Sequence, residues 1–173
     1  MNVVVIMTDQ QRADVSAREG FPLDTTPYID DLARRGTWFD KAYTTMPACA
    51  PARVSFLTGR YPTATRVRTN HNLEDATYTR DLFDVMRENG YATALAGKNH
   101  SHLTDDRADY TLHLGHGGGR GDGRSTDERN FDDWLRGLNH RAATEATPFP
   151  LACQCPHRVV SGAIDWIRGL EDD

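Results

Sequence analysis

The apolar pattern opens with Val3-Val4-Val5-Ile6 inside a run over residues 2–8 that stops abruptly at Asp9-Gln10-Gln11-Arg12. A continuous β-branched run of this length suits a central parallel strand covered on both faces. Pro27 fits the first turn of a helix on which Ile29, Leu32 and Ala33 share one face, with Gly36 as the stop. Residues 37–43 read as a second strand. Pro51 then opens a helix with Val54, Phe56 and Leu57 for packing and Gly59 near its end. Residues 80–89 form another helix, with Leu82, Phe83, Val85 and Met86 as apolar positions and Gly90 after it. A strand over 91–96 leads into Gly97-Lys98-Asn99-His100.

From about residue 100 to 129 the pattern breaks. Gly115 to Gly123 holds six glycines in nine positions, which predicts a long surface loop. Helices are expected around 130–138 and 157–170, joined by a segment containing proline and cysteine. Strands alternating with helices predict an α/β fold with a mostly parallel sheet flanked by helices. In such sheets chemistry gathers at the carboxyl ends of strands, where Asp9 and Lys98 would both lie.

Composition narrows the function. At 173 residues the chain is one domain or a piece of one. With 38% apolar and 26% charged residues it has the make-up of a soluble globular protein. The net charge of −5 is spread among interleaved acids and bases, so no basic stripe points to nucleic acid and no polybasic segment to a membrane surface. The start lacks the basic region and long apolar stretch of a secretory leader. Three cysteines, Cys49, Cys153 and Cys155, are too few for a disulfide framework. A cytoplasmic, reducing location is the expectation.

The stretch that carries chemistry is Cys49-Ala50-Pro51-Ala52-Arg53, followed by Leu57-Thr58-Gly59-Arg60. It sets a thiol at the start of a helix, where backbone N–H groups and the dipole favour a thiolate or a bound oxyanion. Arg53 adds a fixed cation suited to a tetrahedral anion. A lone cysteine also packs commonly as a small buried hydrophobe; physical reasoning alone leaves the two readings even.

Cys-x-Pro-x-Arg with Leu-Thr-Gly-Arg resembles the signature of the formylglycine-dependent sulfatase family, within the alkaline phosphatase superfamily. Residues 3–10, 26–36 and 90–100 resemble further segments of that family in the same order, so the likeness covers residues 2 to about 102 closely. The resemblance implies that Cys49 is oxidised to formylglycine by a formylglycine-generating maturation enzyme. It implies that Asp9, Gln10 and the modified Cys49 bind a divalent metal, calcium first, with magnesium or manganese as alternatives. Oxygen ligands of this kind suit hard cations. Arg53 would support the metal and the formylglycine, Lys98 would hold a sulfate oxygen, and His100 would contact the formylglycine hydroxyls. The substrate would be a small-molecule sulfate ester, with no nucleic-acid or membrane partner. The hydrated formylglycine would attack sulfur, and its second hydroxyl would expel sulfate.

Two departures open an alternative. Gln10 stands where many members carry aspartate, and Ala52 where many carry serine. Both resemble relatives that cleave phosphonate or phosphate esters, and Asn70 lies where some of those bind substrate, although it equally suits a turn. Lys98 and His100 favour a sulfatase. The family runs to several hundred residues, so residues 1–173 are expected to be the N-terminal part of a catalytic domain, inactive alone because later metal ligands are absent. A non-catalytic remnant is the third reading. His116-Gly117-Gly118-Gly119 lacks the serine elbow of an esterase, and Cys153-Gln154-Cys155 lacks a second zinc pair. His102, His113, His140 and His157 are expected on the surface or on helix faces.

Overall fold

The computed structural model describes residues 1–114, 124–139 and 143–170. The glycine-rich stretch at 115–123, His140 and the acidic end at 171–173 lie outside them.

Helix α1 spans Pro27–Arg35. It begins at the proline as expected, because proline has no N–H to lose in the first turn and its fixed φ suits a helix. Its Asp30 is buried and accepts from Ser16 Oγ at 2.5 Å and from the Arg18 amide at 3.2 Å. Those bonds tie the helix to the short 3-10 turns at Ala13–Val15 and Ala17–Glu19. The Ser16 hydrogen bond, first among several, holds the Asp30 carboxyl below the usual carboxylate range against some burial.

Helix α2 spans Cys49–Thr58, and Gly59 ends it at a positive φ of 66°. Its inner face, Ala50 and Val54, is fully buried against Val67, with Leu73 and Ala76 packed around them. Phe56, read from the sequence as a packing position, is 46% exposed. The short helix α3, Pro62–Thr65, packs beside α2. Helix α4 spans Leu82–Glu88 and starts with a reciprocal capping box between Asp81 and Asp84.

Two strands pair in parallel. β1 is Ala94–Gly97 and β2 is Tyr110–His113, with Ala94 opposite Tyr110 and Gly97 opposite His113. The connection over residues 98–109 meets the minimum of roughly a dozen residues that a parallel return needs. Helix α5, Thr126–Gly137, carries Phe131 and Trp134 into an aromatic cluster with Phe149. Helix α6, Cys155–Gly169, covers one face of the sheet. Val159 lies against Gly97, Gly162 against Leu112, and Trp166 stacks on Tyr110 at 5.8 Å. Helices around a small parallel sheet make the chain α/β.

Four expectations change. Residues 2–8 and 37–43 form no strand. Val3 to Ile6 are 53–85% exposed, and a β-branched run becomes a strand only where a neighbour supplies ladder hydrogen bonds and side-chain cover. The 91–96 strand begins later, at Ala94, because the Tyr91 amide turns back to the Met86 carbonyl to close α4. The stretch read as a loop over 100–129 contains β2 and the start of α5. Among the described residues no helix is long and apolar enough to cross a membrane.

Candidate active site

Four of the residues singled out in the sequence meet where the N-terminus of α2 faces the end of β1. Cys49 is the first residue of α2 and is half-buried. Gly97 ends β1 at a φ of 99°, and Val159 sits 3.3 Å from where a Cβ would be; both features call for glycine there. The turn it permits sends Lys98 toward α2. Lys98 Nζ donates to Cys49 Sγ at 3.3 Å and to Asp9 Oδ2 at 2.9 Å. Cys49 Sγ lies 3.7 Å from Asp9 Oδ1. Arg53, one turn into α2, donates from Nη1 to the Lys98 carbonyl at 2.6 Å, and its Nη2 lies 3.8 Å from Asp9 Oδ1.

The electrostatics follow from this layout. Lys98 and Arg53 side chains are each 13% exposed, whereas that of Asp9 is 48% exposed. One sheltered cation, Lys98, therefore touches the sulfur, a second, Arg53, braces the Lys98 backbone, and the more exposed Asp9 carboxylate lies near both. Partly desolvated cations fixed by the backbone attract a multiply oxygenated anion more strongly than surface cations do. The positive end of α2 adds to that field.

The other predicted residues lie next to these in the chain or on α2's N-terminal side. His100, half-buried, follows Lys98 by two residues and adopts a φ of 42°, uncommon for a non-glycine residue. Gln10 is exposed. Asn70 accepts the Ala50 amide at 2.9 Å, so its side-chain oxygen helps hold the N-terminus of α2, a structural bond that the sequence reading left between substrate contact and turn. For a hard divalent cation, Asp9, Gln10 and an oxygen in place of Sγ offer three oxygen-bearing positions, where calcium takes about 6–8 ligands. Among the described residues no group of three or more His, Cys, Asp or Glu side chains could hold a metal, and Lys98 already bonds Asp9. The residues present form at most part of a metal site, and no step below runs through one.

One network escaped the sequence reading. His102, expected on the surface, has a side chain 3% exposed, and its Nε2 lies 2.9 Å from Oδ2 of Asp81, which is fully buried. Arg107 Nη2 reaches Asp81 at 2.9 Å and Asp84 at 2.7 Å, and Arg107 Nη1 donates to the Tyr78 hydroxyl at 3.1 Å. Burial pushes the Asp81 carboxyl up, but the bonds from His102 and the Asp84 amide and the Arg107 charge outweigh it and leave it low. The available signal was Asp81 three residues before Asp84 at a helix start; nothing local marked His102. Cys153 is buried and Cys155 half-buried, and burial raises both thiols above their usual range. Cys153 lies in the 3-10 turn before α6, which contacts α5, and Cys155 is the first residue of α6; both are free thiols.

The site thus sets a cysteine at a helix N-terminus beside a sheltered ammonium and a carboxylate, with a sheltered guanidinium behind them, in an α/β protein. A family model described as Sulfatase matches residues 1–169, and the chain belongs to the sulfatase family. It is 36% identical over 99 residues to an ulvan-active sulfatase of Formosa agariphila, covering 57% of this chain and 19% of that protein. It is 37% identical over 102 residues to the choline-sulfatase of Rhizobium meliloti, again 57% of this chain and 19% of the relative. Against the uncharacterized sulfatase YidJ of Escherichia coli it is 33% identical over 185 residues, covering 96% of this chain and 34% of that protein. The matched stretch thus spans between about a fifth and a third of these relatives' length. No solved structure matches the chain.

Proposed function

We propose that this chain is the nucleophile-bearing part of a sulfuric ester hydrolase in which a maturation enzyme converts Cys49 to formylglycine. The observation that carries the reading is the Lys98 ammonium 3.3 Å from Cys49 Sγ and 2.9 Å from Asp9. Family membership supports it independently.

Sulfur Sγ marks the position from which the formylglycine oxygens would project. The hydrated formylglycine would supply two hydroxyls on one carbon: one attacks the sulfur of a sulfate ester as the ester S–O bond breaks and the alcohol leaves, and the other loses its proton to re-form the aldehyde and expel sulfate. Lys98 neutralises charge on a sulfate oxygen. Arg53 fixes the Lys98 backbone through its carbonyl and adds positive potential. Asp9 orients Lys98. His100, two residues along, contacts the hydroxyls. A thiol at position 49 cannot perform the second half of the cycle, because it has no second hydroxyl with which to release the bound group.

Asp9 and Gln10 are proposed as this chain's share of a divalent metal site, calcium first, completed by residues from the rest of a protein of the relatives' length. On that reading the 173-residue chain alone does not turn over substrate. A phosphonate or phosphodiester hydrolase is the second reading, favoured by Gln10 and Ala52 in place of the usual aspartate and serine. Matured protein of the relatives' length, assayed with aryl sulfate, phosphonate and phosphodiester panels, decides between them. Sulfate-ester turnover lost in Cys49→Ala supports the first. Turnover confined to phosphorus esters rejects it in favour of the second, and no turnover of any ester rejects both.

A further inference from the structure

We infer that His102, through its hydrogen bond to buried Asp81, is the positioning residue for the Lys98–His100 turn. This rests on the reading of Lys98 and His100 as site residues.

The turn leaves β1 at Gly97, and hydrogen bonds from several elements hold it. Arg53 of α2 holds the Lys98 carbonyl at 2.6 Å. Asn99 Nδ2 closes the loop onto the Leu103 carbonyl at 2.6 Å, and its Oδ1 accepts the Ser101 amide at 3.2 Å. His102 reaches Asp81 at the cap of α4 at 2.9 Å. Between these pins His100 sits at a φ of 42°. A sparsely populated conformation in a non-glycine residue persists only where its surroundings over-determine it. Of these pins, the first ties the turn to α2 and the second closes it on itself; the third ties it to a second helix, α4.

The His102 pin is specific. Asp81 is an ionised acceptor, so the His102 nitrogen facing it, Nε2, carries the hydrogen. His102 Nδ1 is buried and has no hydrogen-bond partner among the described residues. The imidazole is therefore oriented by Asp81, with the Tyr78 ring packed at 4.2 Å. Asp81 in turn cannot move, because its Oδ1 caps the Asp84 amide at 3.0 Å and Arg107 binds its Oδ2. A rigid chain runs from the α4 cap through Asp81 and His102 to the backbone that sets Lys98 beside Cys49.

The sequence provides an internal reference for the test, since its two lysines are Lys41 and Lys98. Lys41 is exposed, and the Lys98 side chain is 13% exposed. The unmodified chain is treated with an acetyl N-hydroxysuccinimide ester, and acetylation at each lysine is followed by peptide mass spectrometry. Ester turnover plays no part in the readout, so the hydrolase reading can fail while this inference holds, and the reverse. His102→Ala should raise the Lys98:Lys41 rate ratio on the order of tenfold, the scale of one charge-assisted hydrogen bond. His102→Gln, whose amide can still donate to Asp81, should stay within about threefold of the parent. An unchanged ratio in His102→Ala overturns the proposal, as does an equal rise in His102→Gln. If His102→Ala does not fold, Asp81→Asn decides: asparagine retains the α4 cap but withdraws the ionised acceptor. A several-fold rise there supports the inference, and no rise overturns it.

Discussion

Replacing Val54 by alanine tests whether the small core under α2 is what holds the cysteine end of the site in place. Val54 is fully buried and meets Ala50 and Val67, both also fully buried. The substitution removes two methyl groups, about 1.6 kcal/mol at roughly 0.8 kcal/mol each. A cavity that relaxes incompletely adds up to about 1 kcal/mol. The expected loss is about 2–2.5 kcal/mol, a drop in Tm of roughly 4–10 °C for a chain of this size. Phe56 lies two residues on in the same helix and is the larger side chain, yet it is 46% exposed. Truncating it forfeits about half of a full burial, about 1 kcal/mol, partly offset by alanine's better helix propensity. Urea unfolding of Val54→Ala and Phe56→Ala, followed by circular dichroism, compares the two directly. If Phe56→Ala loses as much stability as Val54→Ala, or more, then α2 does not present the face described, and the placement of Cys49 and Arg53 fails with it.

Acid should destabilise the chain in a defined window. Hydrogen bonds and charge hold Asp30, Asp81 and Asp109 below the usual carboxylate range; for Asp109 the Thr93 backbone amide, at 2.8 Å, leads. Groups with lowered folded values stabilise fully above the unfolded value of about 3.9, and that contribution is lost as pH falls through the folded values. The urea midpoint should therefore hold from pH 7 to about 5 and fall steeply below about 4, with a shallower fall in Asp81→Asn; a flat midpoint down to pH 3 would refute the assignment. At the sheet, a Cβ on Gly162 would run into Leu112 Cδ2 and lie 3.2 Å from the Tyr110 hydroxyl. Gly162→Val should thus destabilise by about 1–3 kcal/mol, whereas Gly169→Ala, with nothing within 4 Å, should be neutral or slightly stabilising; equal thermal shifts for the two would contradict the packing of α6 on β2.

How much was legible in the sequence follows from where structure is decided locally. Pro27, Gly36, Gly59 and Gly90 punctuate α1, α2 and α4 by backbone chemistry, and those helices lie where the sequence sets them to within a few residues. Strands depend on partners far along the chain. Val3 to Ile6 carry a strand composition but no strand, while Tyr110 to His113, four residues after a charged stretch, form one because β1 lies beside them. The site was legible in parts for the same reason. Cys49 and Arg53 announce themselves by spacing in one helix, and Lys98 by its position after a strand. That Asp9 closes on Lys98 across 89 residues is tertiary; the sequence anticipated it by setting both residues after expected strands and by their place in the family pattern, although the strand before Asp9 did not form. His102 was misread because burial by a distant helix cap leaves no periodicity in the residues around it.

The central claim, that Cys49 is the residue from which the nucleophile is made, is tested most directly by its chemistry after maturation. The chain is co-produced with a formylglycine-generating enzyme, and the tryptic peptide containing position 49 is weighed and challenged with a hydrazide. The account predicts loss of the thiol and gain of a hydrazide-reactive aldehyde at position 49 alone, with Cys153 and Cys155 unchanged. A Cys49 that stays a thiol while a known sulfatase substrate is converted in the same cells would contradict it.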